Sequence, residues 1–345
     1  MPNVIPYKSF CWSLGTTSFR TKNFNKTIEE QLSLLDEFWK LEENKSKSWS
    51  GNKDLQTRYY DFMQSKDFVE GNAGNKPKDA REKTSGLVDI GLIDDGRKLS
   101  NAGKALLKIT SENDFSSDNQ FQIAKDSYIY LKQLLKTYYN VNGHTVRPFI
   151  VLIHLLNKFD YLTLDEYTYL LPLCIGQVET SEIIDGISQL RCRNISIDEI
   201  IVNRLMGMLN YKTALDYFID NEVTEELICE IGLNRKSRQY DKPYFKLYQA
   251  LHRVFVLNDI DNLISVYDAT RDIKIGKWWR NYLFDTTSEK AISNHPVAHL
   301  KTTLFNEVED ENTFKIAFFK IMHLFKAKAT LSDYLDLNRR YIKTT

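Results

Sequence analysis

Between residues 76 and 110 the chain reads KPKDAREKTSGLVDIGLIDDGRKLSNAGKALLKIT, and this stretch narrows the choice of folds more than any other. Asp79 is placed to cap a helix whose apolar positions Ala80, Leu87 and Val88 share one side, while Lys78, Arg81 and Ser85 share another. Gly91 stands just past that helix, where the left-handed conformation costs glycine little. Leu92-Ile93 and Lys98-Leu99 flank Asp94-Asp95-Gly96-Arg97, the pattern of two short strands joined by a tight turn. Ser100 then caps a further helix. Helix, strand, turn, strand, helix is the order of a winged helix, a helix-turn-helix variant with an added hairpin, whose basic helix would enter a major groove. The same order also fits a small α/β module with a solvated helix face that docks proteins, because a fold does not by itself give a function.

Ahead of this stretch, residues 1–28 hold Lys8, Arg20, Lys22 and Lys26 and no acidic residue, with Phe10, Trp12, Phe19 and Phe24 between them. Such an arm can follow a phosphate backbone, or its aromatics can pack on the first domain. Thr27 and the glutamate at position 30 have the spacing of a capping box, and Ile28, Leu32, Leu35 and Phe38 give the following helix an apolar stripe. A second helix after Asn52 carries Leu55, Tyr59 and Phe62. These pieces make a first domain over residues 1–110, a basic arm plus a winged helix, with the polar run 111–120 as a linker.

A second, helical domain is expected over 119–192. It opens with an amphipathic helix through Tyr128, Leu131 and Leu135, then a loop at 140–147, then a helix begun by Pro148, whose missing N–H costs nothing there. Thr163 and Glu166 form another capping box, and the 177–191 helix completes a helix-turn-helix-like unit. Glu179, Glu182 and Asp185 make that last helix too acidic for DNA, so the unit reads as a spacer. The third domain, 193–345, is mostly helical from the capping box of Ser196 and Glu199 onward. Its densest basic loop is Asn234-Arg235-Lys236-Ser237-Arg238-Gln239-Tyr240-Asp241-Lys242, where arginine offers bidentate contacts and tyrosine a stacking face. A last helix runs from about 330 to 341, and the chain's stop shortly afterwards reads as a cut within a longer structure or a split gene.

Lys plus Arg equals Asp plus Glu at 46 each, so no global field draws this protein to nucleic acid, and a DNA-binding case rests on local clusters. Cys11, Cys174, Cys192 and Cys229 lack CxxC spacing, which argues against a zinc site or a disulfide framework and fits a reducing cytoplasm. The amino terminus lacks the apolar run of a signal peptide, and no stretch approaches the roughly 20 apolar residues of a membrane span. The expectation is a soluble cytoplasmic protein without membrane contact. For a magnesium nuclease the nearest constellation is Asp261 with Asp272 and Lys274, but the surrounding apolar residues do not alternate as strands do and read as helix. His295 and His299 lack the glutamate of a zinc-protease motif, and no GxGxxG, GxSxG or phosphate loop is present. No catalytic centre, metal site or cofactor site is expected in this chain.

Three pieces together resemble the AlwI-type family of type IIS restriction endonucleases and their nicking relatives. They are Trp12-Ser13-Leu14 through Phe19-Arg20-Thr21-Lys22-Asn23-Phe24, Ala80-Arg81-Glu82-Lys83 through Gly91-Leu92-Ile93 with Leu99-Ser100-Asn101-Ala102-Gly103-Lys104, and Asp333-Tyr334-Leu335-Asp336-Leu337-Asn338-Arg339-Arg340-Tyr341. The resemblance implies the DNA-recognition half of such an enzyme, with a magnesium-dependent PD-(D/E)xK nuclease following in a missing domain or supplied by a partner chain. It implies backbone contacts from Arg20 and Lys22 and reading by the Lys78, Arg81, Lys83 helix. It also implies cutting outside an asymmetric site.

The expected fold is therefore mainly α with small β-hairpins, with winged-helix or helix-turn-helix DNA-recognition domains joined by helical segments. The expected partner is double-stranded DNA, contacted by Arg20, Lys22, Lys76, Lys78, Arg81, Lys83, Arg97, Arg235, Lys236, Arg238, Tyr240 and Lys242. Magnesium is expected only for the associated nuclease. A winged-helix transcriptional regulator and a helical protein-interaction scaffold are the alternatives.

Overall fold

The structure, a computed structural model, describes residues 5–13, 24–234, 237–260, 263–286, 288–301 and 308–343. The chain forms two compact units, Cys11–Thr180 with Ser332–Thr345, and Met1–Phe10 with Ser181–Leu331. Helices dominate both, and the described residues hold a single two-stranded sheet.

In the first unit, helices α1 (Phe24–Lys40), α2 (Glu42–Lys45), α3 (Lys53–Ser65), α4 (Lys76–Asp89) and α5 (Asn101–Glu112) enclose one core. Ile28, Leu32, Leu35 and Phe38 of α1 recur every three or four residues and are buried, as are Leu55, Tyr59 and Met63 of α3 and Leu87 of α4. Phe38 meets Tyr59 edge-on with centroids 5.0 Å apart, an arrangement that sets ring edges against ring faces. Asn52 and Asn75 cap α3 and α4 by accepting from the backbones of Leu55 and Lys78. Gly91, at φ +70°, turns the chain out of α4.

The segment 92–100 then doubles back as a hairpin. Ile93 bridges Leu99, the Asp94 amide donates to Lys98 O at 2.9 Å and the Ser100 amide to Leu92 O at 3.0 Å. Ser100 caps α5 through the Gly103 amide. Gly103 lies so close to the hairpin that a Cβ there would sit 2.1 Å from Leu92 O, so only glycine allows α5 to start against this backbone. Helix α6 (Lys125–Lys136), strands β1 (Tyr139–Val141) and β2 (His144–Val146) and helix α7 (Pro148–Phe159) follow.

The second unit contains most of α8 (Gln177–Arg191), then α9 (Ile197–Met206), α10 (Leu209–Asp220), α11 (Glu225–Ile231), α12 (Tyr244–Phe255), α13 (Leu263–Ala269), α14 (Gly276–Leu283), α15 (Glu289–Asn294), α16 (Pro296–His299) and the greater part of α17 (Glu311–Lys343). Its core is an aromatic stack on α17: Phe314, Phe318, Phe319 and Phe325 are buried against Phe218, Tyr248 and Trp279. Lys315 is drawn in as well, its ammonium donating to Ile219 O and Asn221 O at the end of α10, where carbonyls lack helical partners.

Local reasoning needs correction at several points. Helix α4 is capped by Asn75, one turn before Asp79, and Thr27 lies inside α1 instead of starting it. The expected loop at 140–147 is the β1–β2 hairpin; Asn142 and Gly143 both take positive φ, as a two-residue turn of matching twist demands. The Thr163–Glu166 box forms, with bonds of 2.7 and 3.2 Å, yet it opens into a π-helical turn at Glu166–Leu170 and a 3₁₀ turn at Leu171–Leu173 instead of a regular helix. The segment around Asp272 is helical as expected, with Asp272 in the turn between α13 and α14. The last helix begins at Glu311, where Asp310 accepts from the Thr313 amide at 2.8 Å, not near residue 330. The described part of the expected basic arm is core: Ile5, Phe10 and Trp12 are buried, and the Trp12 indole donates to Leu171 O.

Candidate nucleic-acid interface

Helix α4 carries Lys76, Lys78, Arg81 and Lys83 and the 92–100 hairpin carries Arg97 and Lys98, and these cations divide into engaged and outward-facing ones. Lys76 is engaged: it pairs with Asp61 at 2.7 Å and lies over the Tyr60 ring. Lys78 is exposed and only loosely paired with Glu82 at 3.6 Å. Arg81, one turn on, is exposed and donates to the Gln56 amide oxygen at 2.5 Å, an uncharged partner that orients the guanidinium without neutralising it. Lys83 lies half-buried on the flank of the helix. Glu82 and exposed Asp89 share the solvent side of α4, so its field is weak and any selectivity must come from directed hydrogen bonds.

Arg97 serves the hairpin itself. At φ +62° it occupies the left-handed position of the turn, its Nε donates to Thr84 Oγ1 at 2.9 Å, one terminal nitrogen donates to Asp95 O at 2.9 Å, and the guanidinium lies over Trp49. Burial pushes its pKa down, against the opposing pull of Asp95, Asp89 and Asp94. The side chain thus straps the hairpin to α4. Lys98, which sequence reasoning passed over, is the exposed cation of the hairpin and lies over Trp39. Its place was readable: Ile93 is buried and its bridge partner Leu99 half-buried on the same side, so the neighbour of Leu99 points out. The tip carries exposed Asp94 and Asp95, so phosphate contact would come from the Lys98 flank and not from the tip.

In the second unit the expected basic loop is described only in part. Arg20, Lys22, Arg235 and Lys236 lie outside the described residues, as does Asp261, and Arg238 is described only through its backbone in a 3₁₀ turn, Arg238–Asp241. Tyr240 is exposed, and Lys242 pairs with Glu225 at 2.9 Å, which pushes its pKa up. Beneath the loop, Asp241 is almost fully buried and held by Lys326 at 2.7 Å. Burial pushes the Asp241 pKa up, while Lys326 pulls it down.

A cleft of about 370 Å³ between α12 and α13 is lined by Lys246, Gln249, Arg253, Ser265, Asp268 and Asp272. Lys246 pairs with Asp272 at 3.4 Å. Asp272 and Lys274 lie in the turn between α13 and α14, not on adjacent strand ends, and the described residues hold no group of three acidic, histidine or cysteine side chains that could bind a metal. Asp272 and Lys274 thus lack the adjacent strand ends from which a PD-(D/E)xK centre holds its magnesium. No helix among the described residues is long and apolar enough to cross a membrane.

The model of the AlwI restriction endonuclease family matches residues 88–345, from the end of α4 through the hairpin and α5 and on to the end of the chain. No curated protein and no solved structure matches the chain. The chain belongs to the AlwI restriction endonuclease family.

Proposed function

We propose, from this membership, that the chain is the sequence-specific double-stranded DNA recognition part of a type IIS-like restriction endonuclease. Its organisation is an arm and winged helix over 1–110, a helical spacer over 119–192 and a helical domain over 193–345. The observation that carries the reading is the family match, which spans the hairpin and α5. The order of elements supports it: the three long helices α1, α3 and α4, with the one-turn α2 between the first two, precede the hairpin as in a winged helix, and α4 presents Lys78 and Arg81 to solvent.

In this reading Arg81, oriented by Gln56, reaches a base edge, while Lys78, Lys83 and Lys98 meet phosphates. Arg20, Lys22, Arg235, Lys236 and Arg238 add backbone contacts, and Tyr240 and Lys242 flank them. Lys76 and Arg97 act by shaping the surface. Cleavage is carried out by a magnesium-dependent PD-(D/E)xK nuclease in a further domain or a partner chain, working in the cytoplasm.

The test is selection from random duplexes at moderate salt with magnesium, followed by inspection of the same pool for cuts. Enrichment of one short asymmetric sequence without cleavage supports the reading. Cleavage by the chain alone locates an active centre within it, a palindrome points to a dimeric regulator, and no enrichment points to a protein scaffold. Arg81→Ala is expected to cost about 1–3 kcal/mol of specific binding and to relax one position of the site, as measured by mobility shift on single-base variants. Unchanged affinity removes Arg81 from the interface.

A further inference from the structure

In the second unit, helices α12, α13 and α14 come in succession, and the chain then closes on itself in a short antiparallel pairing with α15 and α16 in the intervening loop. Phe284 bridges Leu300, the Asp285 amide donates to His299 O at 2.9 Å and the Lys301 amide to Leu283 O at 2.8 Å. Helices α13 and α14 are fixed to each other across the turn 270–275. A Cβ on Gly276 would lie 1.7 Å from Thr270 O, so only glycine lets α14 start there, and Arg280 donates to Thr270 Oγ1 at 3.0 Å. Helix, turn, helix and then a strand pair is again the order in which a winged helix presents its reading helix.

Helix α14 has two unlike sides. Trp279 and Leu283 are fully buried, Trp279 against Phe318 and Phe325 of α17. Lys277 and Asn281, one helical turn apart and so on a common side, are exposed. Lys274 is exposed in the turn just ahead, and the Lys301 ammonium donates to Asn281 O at 2.6 Å, which places a further cation beside Asn281. The helix itself contains no acidic residue, whereas α4 carries Asp79, Glu82 and Asp89. The acids in the flanking segments are turned to other partners: Asp272 pairs with Lys246 at 3.4 Å, Glu289 pairs with Arg271, and Asp285 accepts from His299 at 2.9 Å. What remains is a compact cationic face with an amide in it, the electrostatic footprint of a surface that meets a polyanion.

We infer that α14 is a second DNA-reading helix of this chain, in which Asn281 hydrogen-bonds the edge of an adenine in the major groove and Lys274, Lys277 and Lys301 meet the flanking phosphates. The inference rests on the DNA-recognition reading proposed above. An asparagine amide offers a donor and an acceptor side by side, the complement of adenine N7 and N6, while the lysines act as point charges that hold the helix in register without reading sequence. Lys274 then serves as a backbone contact.

The experiment takes the duplex that the full chain selects from a random pool and follows full-chain variants on it by mobility shift. Asn281→Ala should weaken binding about tenfold or more and abolish discrimination at one adenine, so that replacing this adenine weakens the native chain but not the variant. Lys277→Ala should weaken binding to all sequences alike and lower the slope of log affinity against log salt by about one. Lys212→Ala, which removes an exposed cation from α10, should leave affinity and slope unchanged. All three are exposed helix positions at which alanine is well tolerated, so thermal melts should coincide with that of the native chain. The inference is overturned if a duplex is selected but Asn281→Ala and Lys277→Ala bind it as tightly as the native chain, or if Asn281→Ala weakens every sequence equally. It is overturned as well if Lys212→Ala acts as strongly as Lys277→Ala, which would mean a diffuse charge effect. Selection of no duplex at all would remove the DNA-recognition reading together with it.

Discussion

Arg97 makes a sharp prediction because its backbone cost and its side-chain gain can be separated by choice of substitution. A non-glycine residue at φ +62° is disfavoured by roughly 1–2 kcal/mol. Against this stand hydrogen bonds to Thr84 Oγ1 and Asp95 O, both 2.9 Å, and the contact over Trp49. At about 1 kcal/mol for each partly exposed contact the side chain contributes about 3 kcal/mol. Arg97→Ala loses the contacts and keeps the backbone cost, so the hairpin should open about 3 kcal/mol more easily. Arg97→Gly loses the same contacts but relieves the backbone, leaving a deficit of about 1–2 kcal/mol. Amide hydrogen exchange reads this directly at Asp94 and Ser100, which donate across the hairpin to Lys98 O and Leu92 O. Protection should fall about a hundredfold in the alanine variant and about tenfold in the glycine variant. Equal losses in both, or none in either, would refute the account of Arg97 as a strap.

Two further predictions concern buried charge. Burial and the Asp126 charge raise the Glu29 pKa to about 7, so the protonated form is favoured by folding; stability of the first unit should be highest below the unfolded value of 4.5 and decline as pH rises toward 7. Thermal melts across that range should show the decline in the native chain and lose much of it in Glu29→Gln, and a flat profile in the native chain would contradict the assignment. Lys326→Ala should destabilise the second unit by about 3–5 kcal/mol, because it leaves Asp241 buried without its cation. Chemical denaturation measures this, and a change below about 1 kcal/mol would show that Asp241 is already neutral.

Much of the fold was legible residue by residue. Ser100, Ser196 with Glu199, and Thr163 with Glu166 all make the bonds that their spacing calls for. The Asn142-Gly143 turn and the Asp310 cap were equally readable and were passed over. Arg97 was not readable as a strap: its partners Thr84 and Trp49 meet it only after α3 and α4 have packed, so a cation in a turn looked like a phosphate contact.

The sequence by itself determined several of the helix caps, that α predominates, and which family the chain resembles, because a cap is satisfied by a backbone amide two or three positions away. Tertiary structure alone decided which cations stay exposed. Lys76 and Arg97 are engaged while Lys78, Arg81 and Lys98 face solvent, although all five look alike in the sequence. The physical reason is reach: a hydrogen-bonded cap is a local event, whereas a long charged side chain takes its partner from whichever element packing brings beside it.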